Sequence, residues 1–193
     1  PEHICAITGT NGKTSIADFI RQILTMMGKK AASMGTLGLI KGTEAPIPSP
    51  NTTPNAVTVQ RELSELKNEG YEYVAMEMSS HGLAQYRVGG VKVNVAGFTN
   101  LPRDHLDYHK TFENYLAAKM ILFTELLEKG GAAVLNADIE VYDRLKENCL
   151  RCGKRVISYG YNGKDIKLLK ATPQTHGQKL NIIYYVPWKS RDR

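Results

Sequence analysis

Three stretches of this chain carry residue types and spacings that could do chemistry. The first is Gly9-Thr10-Asn11-Gly12-Lys13-Thr14-Ser15, where two glycines lead into a lysine and a hydroxyl. The short apolar run His3 to Ile7 precedes it, and an apolar pattern of helical spacing follows (Ile16, Phe19, Ile20, Ile23, Leu24, Met27), with Gly28 as a natural stop. Strand, glycine loop and helix therefore come in direct succession. A helix N-terminus offers unpaired backbone N–H groups and the positive end of a dipole, and glycine lets that backbone wrap phosphate oxygens closely. Lys13 adds a mobile positive charge, and the Thr14 hydroxyl suits a phosphate-bound Mg2+. The general phosphate-loop pattern has a glycine five positions before Gly12, where this chain has Ile7, so the loop is a variant; the bland alternative is a plain strand-to-helix turn.

The second stretch is Glu77, which closes the apolar run Tyr71 to Met78 and leads into Ser79-Ser80-His81-Gly82. A carboxylate at the C-terminal end of a parallel strand lies where open α/β sheets bind ligands, and such an acid can hold Mg2+ beside a phosphate loop. The alternative is a solvated strand end. A further apolar run, Val91 to Phe98, enters Thr99-Asn100-Leu101-Pro102-Arg103-Asp104-His105-Leu106-Asp107-Tyr108-His109. Asp104, His105 and Asp107 are metal-ligand types crowded into one loop with His109, and a zinc site is not the favoured reading.

The third is Lys119. Thr111 can cap a helix whose apolar stripe is Phe112, Tyr115, Leu116, Leu122, Phe123, Leu126 and Leu127, with Gly130-Gly131 as its end. Stepping by three and four along that stripe lands on Lys119. A buried ammonium is costly, so it must snorkel, pair with an acid or lose its charge. A neutral amine is a nucleophile toward CO2, and the resulting carbamate is an anion able to ligand Mg2+. The residue pattern leaves these outcomes open.

The elements that position these groups read as an α/β chain. Ala31 to Ile40 reads as a strand broken by Gly35 and Gly38, Asn55 to Glu69 as a helix with Val59, Leu63 and Leu66 inward, Ala132 to Asn136 and Arg155 to Tyr159 as strands, and Asp138 to Asn148 as a short helix. Ile166 to Lys170 and Leu180 to Val186, with Gly177 between, read as an antiparallel hairpin. The fold class expected is a P-loop-type, mostly parallel sheet flanked by helices, with that hairpin at its C-terminal end. Gly42 to Pro54 has too much proline for helix or strand; it is a linker, or a binding loop presenting Asn51, Thr52 and Thr53 on a stiffened backbone.

With 193 residues, 42% hydrophobic and 23% charged, the chain suits one soluble domain, and no apolar run approaches a membrane span. A net charge of +6 admits nucleic acid, but the basic residues are scattered and not interleaved with aromatics, and the excess equally suits an anionic nucleotide-linked substrate. Three cysteines argue against a disulfide scaffold and for a reducing compartment. Cys149-Leu150-Arg151-Cys152 lacks the second pair a zinc site needs, which leaves a metal or redox role or an ordinary thiol pair. A chain that opens on Pro1 directly before a core strand and stops at Trp188 to Arg193 is expected to be part of a longer protein.

Taken together, the Gly9 to Thr14 loop, Asn51-Thr52-Thr53-Pro54, Met76 to Leu83, Thr99-Asn100-Leu101 with Arg103 to His109, and Ala117-Ala118-Lys119 resemble the Mur ligases, ATP-dependent amide-forming enzymes of peptidoglycan synthesis. They resemble the branch that adds the third amino acid, meso-diaminopimelate or L-lysine, to UDP-N-acetylmuramoyl-L-alanyl-D-glutamate. The resemblance implies that residues 1–193 are the central ATP-binding domain, cut short at its C-terminal end, without the UDP-binding and amino-acid-binding domains on either side, and inactive alone. It implies ATP contacts at Gly9, Thr10, Asn11, Gly12, Lys13, Thr14, Ser15 and Asn100. It implies two Mg2+ sites using Thr14, Glu77, His105 and Lys119 as a carbamate, with Lys13, Lys119 and His105 catalytic. Asn51, Thr52, Thr53, Ser79, Gln85 and Arg87 would contact the nucleotide-peptide substrate. A monomer of the bacterial cytoplasm, binding neither nucleic acid nor membrane, is the expected setting. The rival readings are a folylpolyglutamate-type ligase and a nucleotide-binding module without catalysis.

Overall fold

A computed structural model of the chain describes residues 1–102 and 109–185. Nine strands form one sheet in the order β3-β2-β4-β1-β5-β6-β7-β8-β9. They are β1 (His3–Thr8), β2 (Ala31–Gly35), β3 (Gly38–Lys41), β4 (Tyr73–Glu77), β5 (Val93–Phe98), β6 (Leu127–Asn136), β7 (Arg155–Gly160), β8 (Ile166–Gln174) and β9 (Gly177–Tyr184). The central pairs β2·β4, β4·β1, β1·β5, β5·β6 and β6·β7 are parallel. Antiparallel pairing is confined to the ends, β2·β3 at one and the expected β8·β9 hairpin at the other. After β1 the chain builds outward through β2 and back to β4, then crosses to the other flank of β1 for β5. The sheet thus reverses its strand order beside β1, the position where open α/β sheets bind ligands beyond their carboxyl ends.

Among the described residues, five α-helices lie between the strands: α1 (Lys13–Met26), α2 (Ala56–Asn68), α3 (Ser80–Ala84), α4 (Phe112–Ile121) and α5 (Tyr142–Arg151). The main core unites one sheet face with α2, α4 and α5 through Leu66, Met76, Phe98, Leu116, Phe123, Leu135 and Leu145. The opposite face carries α1, whose Ala17 packs on Ile7 and Ala75 in a second, smaller cluster. The local signals act as read for two helices. The Asn55 side chain accepts a hydrogen bond from Thr58 N–H to cap α2, and Thr111 accepts one from Asn114 N–H to cap α4.

Several elements differ from the sequence reading. The strand expected over Ala31 to Ile40 is two strands that turn through Thr36-Leu37 and pair antiparallel, because Gly38 takes a positive φ of 90° where a Cβ would strike the Ile47 carbonyl. The helix after Thr111 ends at Ile121, and Leu122–Leu126 form one π-helical turn that passes straight into β6. Gly130-Gly131 do not end that helix; they lie inside β6, where the register slips between Val93 and Val95 and Gly130 absorbs the kink at a φ of 76°. The helix expected from Asp138 begins at Tyr142, because the Asp138 carboxylate instead accepts hydrogen bonds from the Tyr161 and Asn162 amides. The apolar stripe of α1 is only half used. Ala17 and Arg21 are its buried residues, while Phe19 is 59% exposed, because α1 covers β1, β2 and β4 and leaves the flank over β5 and β6 open. Val186 and the C-terminal stretch Trp188 to Arg193 lie outside the described residues.

Candidate phosphate and cation site

The glycine loop runs from the end of β1 into α1 and is clamped to the end of β5. Thr10 N–H donates to the Asn100 carbonyl at 3.0 Å, Asn11 N–H donates to Asn100 Oδ1 at 2.9 Å, and Thr99 Oγ1 donates to the Asn11 carbonyl at 2.7 Å. Gly9 has a φ of 134°, and a Cβ there would lie 1.9 Å from Thr99 Oγ1. Only glycine allows this approach. Gly12 at φ 84° opens α1, which has no side-chain cap and no acidic residue in its first turn. No side chain of the helix's own first turn competes for these amides, an arrangement that suits an anion.

Two lysines converge on the loop. Lys13 Nζ folds back to donate to the Gly9 and Thr10 carbonyls at 3.1 and 2.7 Å. Lys119, 1% exposed, reaches across from α4 to donate to the same Gly9 carbonyl at 2.8 Å. Burial first, and then the neighbouring Lys13 charge, lowers the Lys119 amine to about 7. Its Nζ stands 4.3 Å from the centre of the Tyr115 ring, whose hydroxyl hydrogen-bonds Thr10 Oγ1 at 3.0 Å. Tyr115 was visible only as an apolar stripe residue; its place one helical turn before Lys119 was the available signal. Burial also lowers the Lys13 amine, partly offset by Glu77.

Glu77, at the end of β4, is 3% exposed, so it is no solvated strand end. Its Oε2 accepts the Thr14 hydroxyl at 2.9 Å, and its Oε1 accepts the Thr36 amide at 2.7 Å. No ion pair reaches this carboxylate among the described residues. A buried anion held by hydroxyl and amide donors alone, with a second hard oxygen beside it, suits a divalent cation. Among the described residues no group of three or more His, Cys, Asp and Glu is built to cage a metal.

The proline-rich loop is bound into this arrangement and is not a free linker. Thr52 Oγ1 hydrogen-bonds Thr36 Oγ1 at 3.0 Å. Thr53 is buried, donates to the Glu77 carbonyl at 3.1 Å, and accepts from Ser79 N–H at 3.0 Å and from Ser79 Oγ at 3.2 Å. The Ser79 hydroxyl also caps α3 by accepting from Gly82 N–H. Arg87 donates to the Thr53 carbonyl at 2.9 Å and to Gln85 Oε1. Asn51 is exposed at the loop tip, where its carbonyl accepts the Ser49 hydroxyl, and Ser15 faces outward on α1. His105, Asp104 and Asp107 lie outside the described residues, while His109 packs against the Tyr115 and His81 rings. Thr36 is the residue sequence reading missed, since its contact with Glu77 spans 41 positions and leaves no local pattern. Cys149 is buried and its thiol is pushed up to about 11, chiefly by burial, which is the direction of an inert core thiol.

A mostly parallel sheet with a glycine loop at its strand-order reversal defines an α/β domain of the P-loop type. The chain belongs to the Mur ligase family: the Mur ligase middle domain matches residues 7–192. It is 49% identical over 183 residues to a UDP-N-acetylmuramoyl-L-alanyl-D-glutamate–2,6-diaminopimelate ligase of Anaplasma marginale, covering 94% of this chain and 38% of that relative. The ligase of the same name from Caulobacter vibrioides is 45% identical over 187 residues, with 94% and 38% covered. A solved structure of such a diaminopimelate ligase superposes with a TM-score of 0.85 at 31% identity, over 95% of this chain and 37% of that one. A Mycobacterium tuberculosis folylpolyglutamate synthase complexed with ADP and AMPPCP has a TM-score of 0.66 at 16% identity, over 93% and 47%, and shares the fold. The chain thus spans 38% of the length of the curated relatives it matches.

Proposed function

We propose that this chain is the ATP-binding part of a longer ligase that adds 2,6-diaminopimelate to UDP-N-acetylmuramoyl-L-alanyl-D-glutamate, with flanking domains holding the UDP end and the incoming amino acid. The observation that carries this reading is the convergence of Lys13, Lys119 and the Thr14–Glu77 pair on one glycine loop. The choice of amino acid rests on the names of the two relatives above and on no residue of this chain.

In this reading a D-glutamyl carboxylate oxygen attacks the γ-phosphorus of ATP and ADP departs. The acyl phosphate is then opened by an amine, which forms the amide and releases phosphate. Two anionic groups must meet, so the site has to supply positive charge before the reaction begins. The Lys13 ammonium leaves the Gly9 and Thr10 carbonyls for the phosphates, and the amides opening α1 receive the β-phosphate. Thr14 and Glu77 would hold one Mg2+, and His105 and Lys119 as a carbamate would hold a second; when bound, these ions would offset phosphate charge. Lys119, neutral for much of the time near pH 7, is available to take up CO2 and become an anionic ligand. Arg87 orients the peptide carboxylate, since a guanidinium grips one in bidentate fashion. A monomer in the bacterial cytoplasm fits these substrates, and no described helix is long and apolar enough to cross a membrane.

The test is ADP release by the full chain carrying Lys119→Ala, with and without short carboxylic acids. The expected result is a loss of about a hundredfold or more, as for removal of a group acting on the transition state, with partial rescue by the added acid. Unchanged turnover would remove the carbamate role. Turnover that ignores the UDP-linked dipeptide would favour the folylpolyglutamate-type reaction. Calorimetric ATP binding without phosphoryl transfer in the full chain would favour a non-catalytic module.

A further inference from the structure

Thr36 stands between the carboxylate that faces the glycine loop and the loop that carries Thr52. Its amide donates to Glu77 Oε1 at 2.7 Å, its hydroxyl lies 3.3 Å from Glu77 Oε2, and the same hydroxyl lies 3.0 Å from Thr52 Oγ1. The backbone leaves it little choice. Thr36 occupies the turn between β2 and β3, and the preceding Gly35 is so close to Glu77 that a Cβ would sit 2.0 Å from Oε1. Thr53, next to Thr52, is fastened to the Glu77 carbonyl. The three side chains are therefore held in a row by backbone on both sides.

A threonine hydroxyl has one proton and two lone pairs. When Thr36 gives its proton to Glu77 Oε2, Thr52 must give its own proton to Thr36. When Oε2 is claimed by a cation, that donation becomes unfavourable, Thr36 turns its proton toward Thr52, and the Thr52 proton is released to face outward. An anionic oxygen of a second ligand can then accept it. The same exchange runs in reverse, because a ligand that takes the Thr52 proton frees Glu77 Oε2 for the cation. No bond to carbon changes, and only hydroxyl rotations are needed.

We infer that Thr36 is a positioning residue that couples cation–nucleotide binding at Glu77 to binding of the anionic peptide substrate at Thr52. The inference rests on the proposed role of Glu77 as a cation ligand. Its test uses Mn2+ with AMPPNP as the probe, followed by electron paramagnetic resonance on the full chain, with and without UDP-N-acetylmuramoyl-L-alanyl-D-glutamate. In the unmodified protein the dipeptide should tighten Mn2+–AMPPNP binding by about tenfold, the size of one hydrogen bond to a charged group. Thr36→Val keeps the amide and the branched shape but loses the hydroxyl, and should bring that ratio close to one. Thr36→Ser should keep it. Thr52→Val should lose it, and the double variant should be no worse than either single one.

A wild-type ratio in Thr36→Val, effects of the two valine variants that multiply, or no tightening in the unmodified protein would each overturn the coupling. Glu77→Gln separates the two levels of the argument. If it leaves Mn2+ affinity unchanged, the cation role of Glu77 falls and the coupling with it. If it weakens Mn2+ binding while Thr36→Val keeps the ratio, the coupling alone is wrong.

Discussion

The Lys119 amine is brought to about 7 because its charged form has lost water and faces a second ammonium, while its contacts are a carbonyl and a ring face. That depression has a sign that stability measurements can read. Between about 7 and its ordinary value of 10.5, the unfolded chain holds a proton on Lys119 that the folded chain does not. Stability contributed by this residue therefore rises with pH across that window and is flat below it. Urea midpoints at pH 7.5 and pH 9.5 should rise less in Lys119→Met than in the unmodified protein, measured without CO2; an equal rise would place the amine in water. With 13C-labelled bicarbonate, the same argument expects a carbamate resonance that grows as pH passes about 7 and is absent from Lys119→Met.

Single elements owe their place to close approaches that the sequence marks only with a glycine. At Gly35 a Cβ would fall within 2.6 Å of the Glu77 Cγ, Cδ and Oε1 atoms. Gly35→Ala should push the carboxylate off Thr14, weaken Mn2+–AMPPNP binding by about tenfold and cost about 1–3 kcal/mol, the usual range for overpacking. Normal Mn2+ affinity in that variant would show that Glu77 has another place to stand. The helices are set apart by burial in a way periodicity does not convey. Leu66→Ala in α2 removes a fully buried side chain and should cost about 2–5 kcal/mol in a chemical melt. Phe19→Ser in α1, from a stripe equally apolar in sequence, should stay within about 0.5 kcal/mol. A large loss there would mean that α1 packs its outer flank after all.

For the whole molecule, what was legible was whatever rests on local chemistry. Strand, glycine loop and helix follow from residues 3 to 28, the Thr111 cap marks the start of α4, and Lys119 stands out because it breaks an apolar stripe. What was hidden depends on partners distant in the chain. Nothing local separates a broken strand from the β2–β3 hairpin, whose direction is fixed by pairing with β4. Leu122, Phe123, Leu126 and Leu127 keep a helical period although the backbone unwinds, because the core on that side is apolar whichever turn they adopt. The Thr36–Glu77 contact joins two strand ends that meet only when the sheet is complete. The glycine loop, Glu77 and Lys119 meet at the carboxyl ends of β1, β4 and β5, and one determination examines that meeting directly. In a crystal structure of the full chain with Mg2+, AMPPNP and CO2, the β- and γ-phosphates should lie against the amides from Gly12 to Ser15. The Lys13 ammonium should have left the Gly9 carbonyl, and a metal ion should be found beside Thr14 and Glu77. A nucleotide bound elsewhere on the sheet, with Lys13 still folded onto Gly9 and Glu77 still closed on Thr14, would contradict the account.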